Sequence, residues 1–116
     1  MSSIQILHNP RCSKSRQTLA LLEENGVSPE IILYLINTPS VTDLESILEK
    51  LNLNARDIIR TGEDAYKTMN LKDSSLSDAD LLQAMTQHPK LIQRPIVIHG
   101  DKAAIGRPPE SVLEIL

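Results

Sequence analysis

The apolar positions change their spacing five times along the chain. Ser3-Ile4-Gln5-Ile6-Leu7 is short and β-branched and predicts a strand. From Lys14 to Asn25 the spacing becomes helical, with Ser15, Leu19 and Leu22 on one face, and Asn25-Gly26 is a helix stop signal. Glu30 to Leu35 is nearly continuous in apolar residues and predicts a buried strand. Strand, helix and strand within so short a stretch form a βαβ unit, so the first two strands are expected to run parallel.

The next fifty or so positions carry only helical spacing. Thr42-Asp43-Leu44-Glu45 reads as a capping box, followed by Leu44, Ile47, Leu48 and Leu51 at helical intervals. Asn54 is placed to cap a short helix through Ile59, and Glu63 to Met69 is a weak helix. Ser77-Asp78-Ala79-Asp80 opens another, which carries Leu81, Leu82 and Met85 and stops before Pro89. Strand spacing returns in Ile96-Val97-Ile98-His99 and Lys102-Ala103-Ala104-Ile105. The Gly100-Asp101 pair between them is a hairpin signal. Pro108-Pro109 breaks the chain before a short helix over Glu110 to Leu116. The expected architecture is α/β: a four-stranded mixed sheet in one domain over 1–116, β-α-β and then β-β-α, with a helical insertion at about 40–92.

Composition narrows the function. Phe and Trp are absent, and Tyr34 and Tyr66 are the only aromatic residues, so the core is built from Leu and Ile. A net charge of −3 and the lack of stacking aromatics argue against nucleic acid as a partner. No apolar run approaches membrane-spanning length, and the N-terminus lacks the pattern of a signal peptide. One cysteine cannot form an internal disulfide, which fits a reducing cytoplasm.

That cysteine, Cys12, is the strongest chemical signal. It lies in His8-Asn9-Pro10-Arg11-Cys12-Ser13-Lys14-Ser15-Arg16, at the turn from first strand to first helix. Unpaired N–H groups of a helix's first turn favour a thiolate, as do the nearby cations Arg11, Lys14 and Arg16 and a protonated His8. A buried, inert cysteine would have apolar flanks, whereas these are polar and cationic. The scattered His residues and the single Cys have no zinc-ligand spacing.

The same segment resembles the active-site segment of the ArsC family of glutaredoxin-linked arsenate reductases. Ile59-Arg60-Thr61-Gly62-Glu63, Gln93-Arg94-Pro95-Ile96-Val97 and Gly106-Arg107-Pro108-Pro109-Glu110 are similar to that family's three arginine motifs, in the same order. The resemblance implies a thioredoxin-like, glutaredoxin-like fold. It places the nucleophile on Cys12, the oxyanion-binding arginines on Arg60, Arg94 and Arg107, supporting polar residues on His8, Asn9 and Ser15, and a cis proline on Pro95. It implies arsenate as substrate, glutathione as co-substrate, glutaredoxin as partner and no bound cofactor. Ser15 stands where dithiol redox proteins have a resolving cysteine; its hydroxyl is expected either to donate to the thiolate or, as an ordinary first-turn serine, to bond to backbone. His8 is expected either to act on the thiol as an imidazolium or to position it by hydrogen bonding. The chain is shorter than the longest members, so docking contacts from a C-terminal extension are not expected.

Each assignment has a plainer counterpart. Arg60 would complement the dipole at the end of a helix, Arg107 would be a solvated loop charge, and Lys14 and Arg16 would be solvated helix charges. Two other functions share the fold: a glutathione-dependent thiol-disulfide oxidoreductase that deglutathionylates proteins, and an Spx-like regulator that binds RNA polymerase. The arginine trio favours an oxyanion over the first, and Ser15 in place of a second cysteine disfavours the second.

Overall fold

A strand that enters the middle of a sheet must be apolar on both faces, and β1 (Ile4–Leu7) ends in the buried pair Ile6 and Leu7. In a computed structural model that describes residues 4–116, β1 is flanked by β2 (Glu30–Ile32) and β3 (Ile96–His99), and β4 (Lys102–Ile105) closes the sheet. The order is β2-β1-β3-β4. β1 runs parallel to β2 and antiparallel to β3, and β3 is antiparallel to β4. This is the expected mixed four-stranded sheet. Ser3, assigned to the first strand from sequence, lies outside the described residues.

The chain divides into two compact units, residues 4–37 with 94–116, and Thr38–Gln93. The first holds the whole sheet. Helix α1 (Ser13–Glu24) and a C-terminal 3₁₀ helix (Pro109–Ile115) pack on each other, and Ile6, Leu22, Val97 and Val112 form the buried cluster there. α1 ends as Asn25-Gly26 predicts. Gly26 has φ 77, Val27 N–H donates to Leu22 O at 3.0 Å, and Gly26 N–H donates to Glu23 O at 3.0 Å. That pair of bonds is a Schellman cap, which needs the left-handed residue glycine supplies. Gly100, φ 64, makes the hairpin between β3 and β4 in the same way.

The second strand differs from expectation. It stops at Ile32 because Leu33 O accepts both Ile36 N–H at 2.9 Å and Asn37 N–H at 2.8 Å, which turns the chain. It is also an edge strand, so Glu30 and Ile31 are exposed rather than buried. Tyr34, beyond the strand, is the buried residue of that run.

The second unit is helical: α2 (Val41–Leu51), α3 (Ala55–Ile58), α4 (Asp64–Thr68), α5 (Asp78–Gln87) and a 3₁₀ turn (Pro89–Leu91). Leu44, Ile47 and Leu48 of α2 are buried as their spacing predicts, and α2 and α3 pack on α5. The cap of α2 is two residues earlier than predicted. Ser40 Oγ accepts from Asp43 N–H and Asp43 Oδ2 accepts from Ser40 N–H, both at 3.1 Å. Asn54 and Ser77 start α3 and α5 as expected. One antiparallel bridge, Ile59 to Ile92, adds β pairing to a segment that carries no strand pattern. No helix among the described residues is long and apolar enough to cross a membrane.

Candidate active site

Cys12 is the N-cap residue of α1, with extended backbone (φ −94, ψ 123). Its carbonyl accepts the first helical bond, from Arg16 N–H at 3.0 Å, and its own N–H donates to Asn9 O at 3.0 Å. An N-cap side chain normally offers an oxygen to the N–H groups of the second and third helical residues. Here those residues are Lys14 and Ser15, and the sulfur takes the oxygen's place. It makes no cap bond of ordinary length.

The electrostatics of the thiol have opposing parts. Burial is the largest single influence and raises the pKa. The backbone N–H groups of Ser15 and Lys14, and then the hydrogen bond and charge of Arg94, outweigh it, so the thiol lies below its ordinary value. A second guanidinium is also at the sulfur: Arg107 Nη2 lies 3.6 Å from Sγ. Arg107 is exposed and Arg94 half-buried, so water screens the charge of Arg107 more strongly, and of the two guanidinium groups it is Arg94 that lowers the thiol pKa. The two arginines are tied together, because Arg107 Nε donates to Arg94 O at 2.7 Å. Arg94 Nε is buried and has no hydrogen-bond partner among the described residues.

The turn before Cys12 is fixed by a buried polar joint. Nδ1 of His8 and Oγ of Ser15 are 2.6 Å apart, and Asn9 N–H donates to the same oxygen at 3.0 Å. His8, Asn9 and Ser15 are thus brought together, with Ser15 fully buried. Asn9 Oδ1 accepts from Arg11 N–H at 3.0 Å, and Arg16 Nη1 donates to Pro10 O at 2.9 Å, lacing the loop to the helix.

Two residues left with alternative readings each follow one of them here. Burial first, and the charge of Arg16 second, hold the pKa of His8 below its ordinary value, so His8 is neutral at pH 7 and is not a cation acting on Cys12. The Ser15 hydroxyl is engaged by His8 and Asn9, and it is the Ser15 backbone that favours the thiolate. Arg16, read either as a cation favouring the thiolate or as a solvated helix charge, is exposed and also ties the loop through Pro10 O. Thr18, fully buried on α1, was missed. Its signal was a polar residue on the same buried stripe as Ser15 and Leu22.

Pro95 precedes β3, next to Ile96, whose register partner is Leu7 at the end of β1. The Arg94–Pro95 bond is cis, as the resemblance implies, and so is Arg107–Pro108. Cys12, His8, Asn9, Ser15, Arg94, Pro95 and Arg107 all belong to the first unit. Arg60 belongs to the second. It follows the Ile59–Ile92 bridge rather than ending a helix, since α3 stops at Ile58. Its Nη1 donates to Gln93 Oε1 at 3.2 Å, and its Nε lies 3.5 Å from Glu63 Oε2.

A thiol at a helix N-terminus, with a cis proline opening the neighbouring strand of a β2-β1-β3-β4 sheet, defines a protein of the thioredoxin-like fold. A family model described as the ArsC family matches residues 7–115, and the chain belongs to that family. A Haemophilus influenzae protein named arsenate reductase is 56% identical over 115 residues, covering 98% of this chain and 99% of that protein. An Escherichia coli K12 protein named uncharacterized protein YfgD is 56% identical over 114 residues, covering 97% and 96%. The solved structure of an arsenate reductase from Vibrio cholerae, 54% identical, superimposes with a TM-score of 0.96 and covers 99% of this chain and 98% of that one.

Proposed function

We propose that this protein is an arsenate reductase that works through a Cys12–arsenic adduct resolved by glutathione and glutaredoxin. The observation that supports it best is the pairing of a favoured thiolate with two guanidinium groups, Arg94 and Arg107, at one sulfur. Arsenate is a tetrahedral oxyanion, and its approach sets one anion against another. Arginine forks compensate both charges and hold oxyanions in fixed orientation. The buried Arg94 Nε is a donor that an arsenate oxygen would satisfy. Arg60 joins the set on the strength of the family pattern alone.

In this scheme the Cys12 thiolate bonds to arsenic, and one arsenate oxygen leaves as water after taking protons. The glutathione thiol bonds to the same arsenic and displaces a second oxygen as water. The glutaredoxin thiolate then takes the glutathione sulfur. The new S–S bond leaves two electrons on arsenic, which becomes As(III), and hydrolysis of the Cys12–arsenic bond releases arsenite and the thiolate. The chain's single cysteine supports external thiols, and a need for reduced glutathione would suit work in the cytoplasm.

The test is arsenite production from arsenate by the purified protein with glutathione, glutaredoxin and a recycling reductase, each omitted in turn. Turnover should require all of them and vanish in Cys12→Ser. Arsenite production by Cys12→Ser at the wild-type rate would defeat the proposal. A wild type without turnover, whose Cys12 still reacts with glutathione disulfide, would replace it with a thiol-disulfide oxidoreductase.

A further inference from the structure

Gly106 stands immediately before Arg107, and its φ is outside the left-handed range, so backbone torsion does not require glycine there. Space does. A Cβ on Gly106 would overlap Thr18 Oγ1, and would come within 2.7 Å of Pro95 Cγ and 3.0 Å of Thr18 Cγ2. The backbone of residue 106 is therefore pressed between α1 and the proline ring. Gly106 N–H donates to Pro95 O at 2.9 Å. Thr18 donates its proton to Lys14 O at 2.8 Å, which fixes the hydroxyl, while Gly106 O lies 3.5 Å from the same oxygen. That second separation is too long for a strong hydrogen bond, so packing rather than hydrogen bonding sets the approach.

From this contact the chain runs directly to both guanidinium groups. Arg94 precedes Pro95, and Arg107 follows Gly106. Arg107 bonds back to Arg94 O and reaches the sulfur with its other nitrogen. Thr18 is fixed on the helix that Cys12 caps. We propose that the close packing of Gly106 against Thr18 and Pro95 sets the distance of Arg94 and Arg107 from Cys12, making Thr18 and Gly106 positioning residues for the oxyanion end of the site. The inference rests on the reading of that site as an oxyanion site, and it extends the reading to residues that touch neither sulfur nor substrate.

Two readouts separate the inference from the reading beneath it. Protection of Cys12 against iodoacetamide by arsenate reports anion binding without turnover, and arsenite production reports reduction. Gly106→Ala must push the 106–107 backbone away from Thr18 and Pro95. Its arsenate protection should weaken on the order of ten- to a hundredfold, the scale of a displacement near 1 Å at a reacting centre. KM should rise more than kcat falls, and the pH midpoint of alkylation should move up as guanidinium charge is withdrawn. Thr18→Ala alone, which removes the wall, should weaken protection several-fold, by about threefold or more. Added to Gly106→Ala, the same change removes the overlap with Thr18 and should restore part of the protection. That reversal of sign is the signature of direct coupling.

Protection by arsenate that is unchanged in Gly106→Ala would overturn the inference, as would a folded double variant no better than Gly106→Ala. If Gly106→Ala does not fold, unchanged protection in Thr18→Ala decides against it in the same way. A wild type that binds arsenate without reducing it would defeat the reductase reading and leave this inference standing.

Discussion

Replacing Ser15 by Ala would remove one oxygen atom from the centre of the turn that holds Cys12. Two buried groups lose their partner, Nδ1 of His8 at 2.6 Å and the N–H of Asn9 at 3.0 Å. Ser15 is fully buried and His8 and Asn9 nearly so, which leaves little access for water to replace the bond. Each unsatisfied buried group costs about 1–3 kcal/mol. Because the two share one oxygen and relax together, the sum should be about 2–4 kcal/mol. With an unfolding entropy of about 2.1 cal/mol/K per residue over 116 residues, each kcal/mol lowers the melting temperature by about 4 °C. Ser15→Ala should therefore melt about 8–16 °C below wild type at pH 7.5 in differential scanning calorimetry. Ser13→Ala is the control, since Ser13 is exposed on the same turn and should stay within about 2 °C. A Ser15→Ala protein melting within about 2 °C of wild type would refute the assignment of this hydroxyl as the joint of the turn.

Three further outcomes follow from the same geometry. His8 stays neutral in the folded protein at pH values where an unfolded histidine already binds a proton, so stability should fall as pH drops below 6.5 and level off below the folded pKa; chemical denaturation at pH 7.5 and 5.5 should show this, and His8→Gln should flatten it. Alkylation of Cys12 by iodoacetamide should have its pH midpoint below that of an ordinary thiol, and Arg94→Leu should raise it; an unmoved midpoint would remove Arg94 from the thiolate's surroundings. Ser40→Ala should cost about 1 kcal/mol in urea unfolding, whereas Thr42→Ala should change stability by less than about 0.5 kcal/mol; equal costs would contradict the observed cap of α2.

The parts of the structure legible in the sequence are those fixed by local chemistry. The Gly100-Asp101 hairpin and the Asn25-Gly26 helix stop follow from residues that make their own turns. Cys12 was legible because polar flanks at a strand-to-helix turn are visible without tertiary contacts. What was misread depended on partners far along the chain. Leu33 to Leu35 looks like strand, but its hydrogen bonds go into a turn, and whether a strand lies at a sheet edge is decided by the pairing of other strands. Ser40 and Thr42 each stand three residues before an acidic side chain, Asp43 and Glu45, so the spacing alone does not choose between the two caps, and the folded chain uses Ser40. The neutral state of His8 follows from burial, which no single residue type announces. The tight packing at Gly106 involves Thr18, eighty-eight positions away, and only the folded chain brings the two together.

The position of Cys12 as helix cap also bears on how the sulfur is given up. The amides of Lys14 and Ser15 favour the thiolate, and a thiolate is what departs when a bond from that sulfur to arsenic is hydrolysed. A low thiol pKa makes a good leaving group as well as an abundant nucleophile. Any covalent adduct on Cys12 deprives those amides of a full negative charge, and breaking the adduct returns it. Helix α1 thus biases the sulfur toward release, which suits a chain that has no second cysteine to free the first.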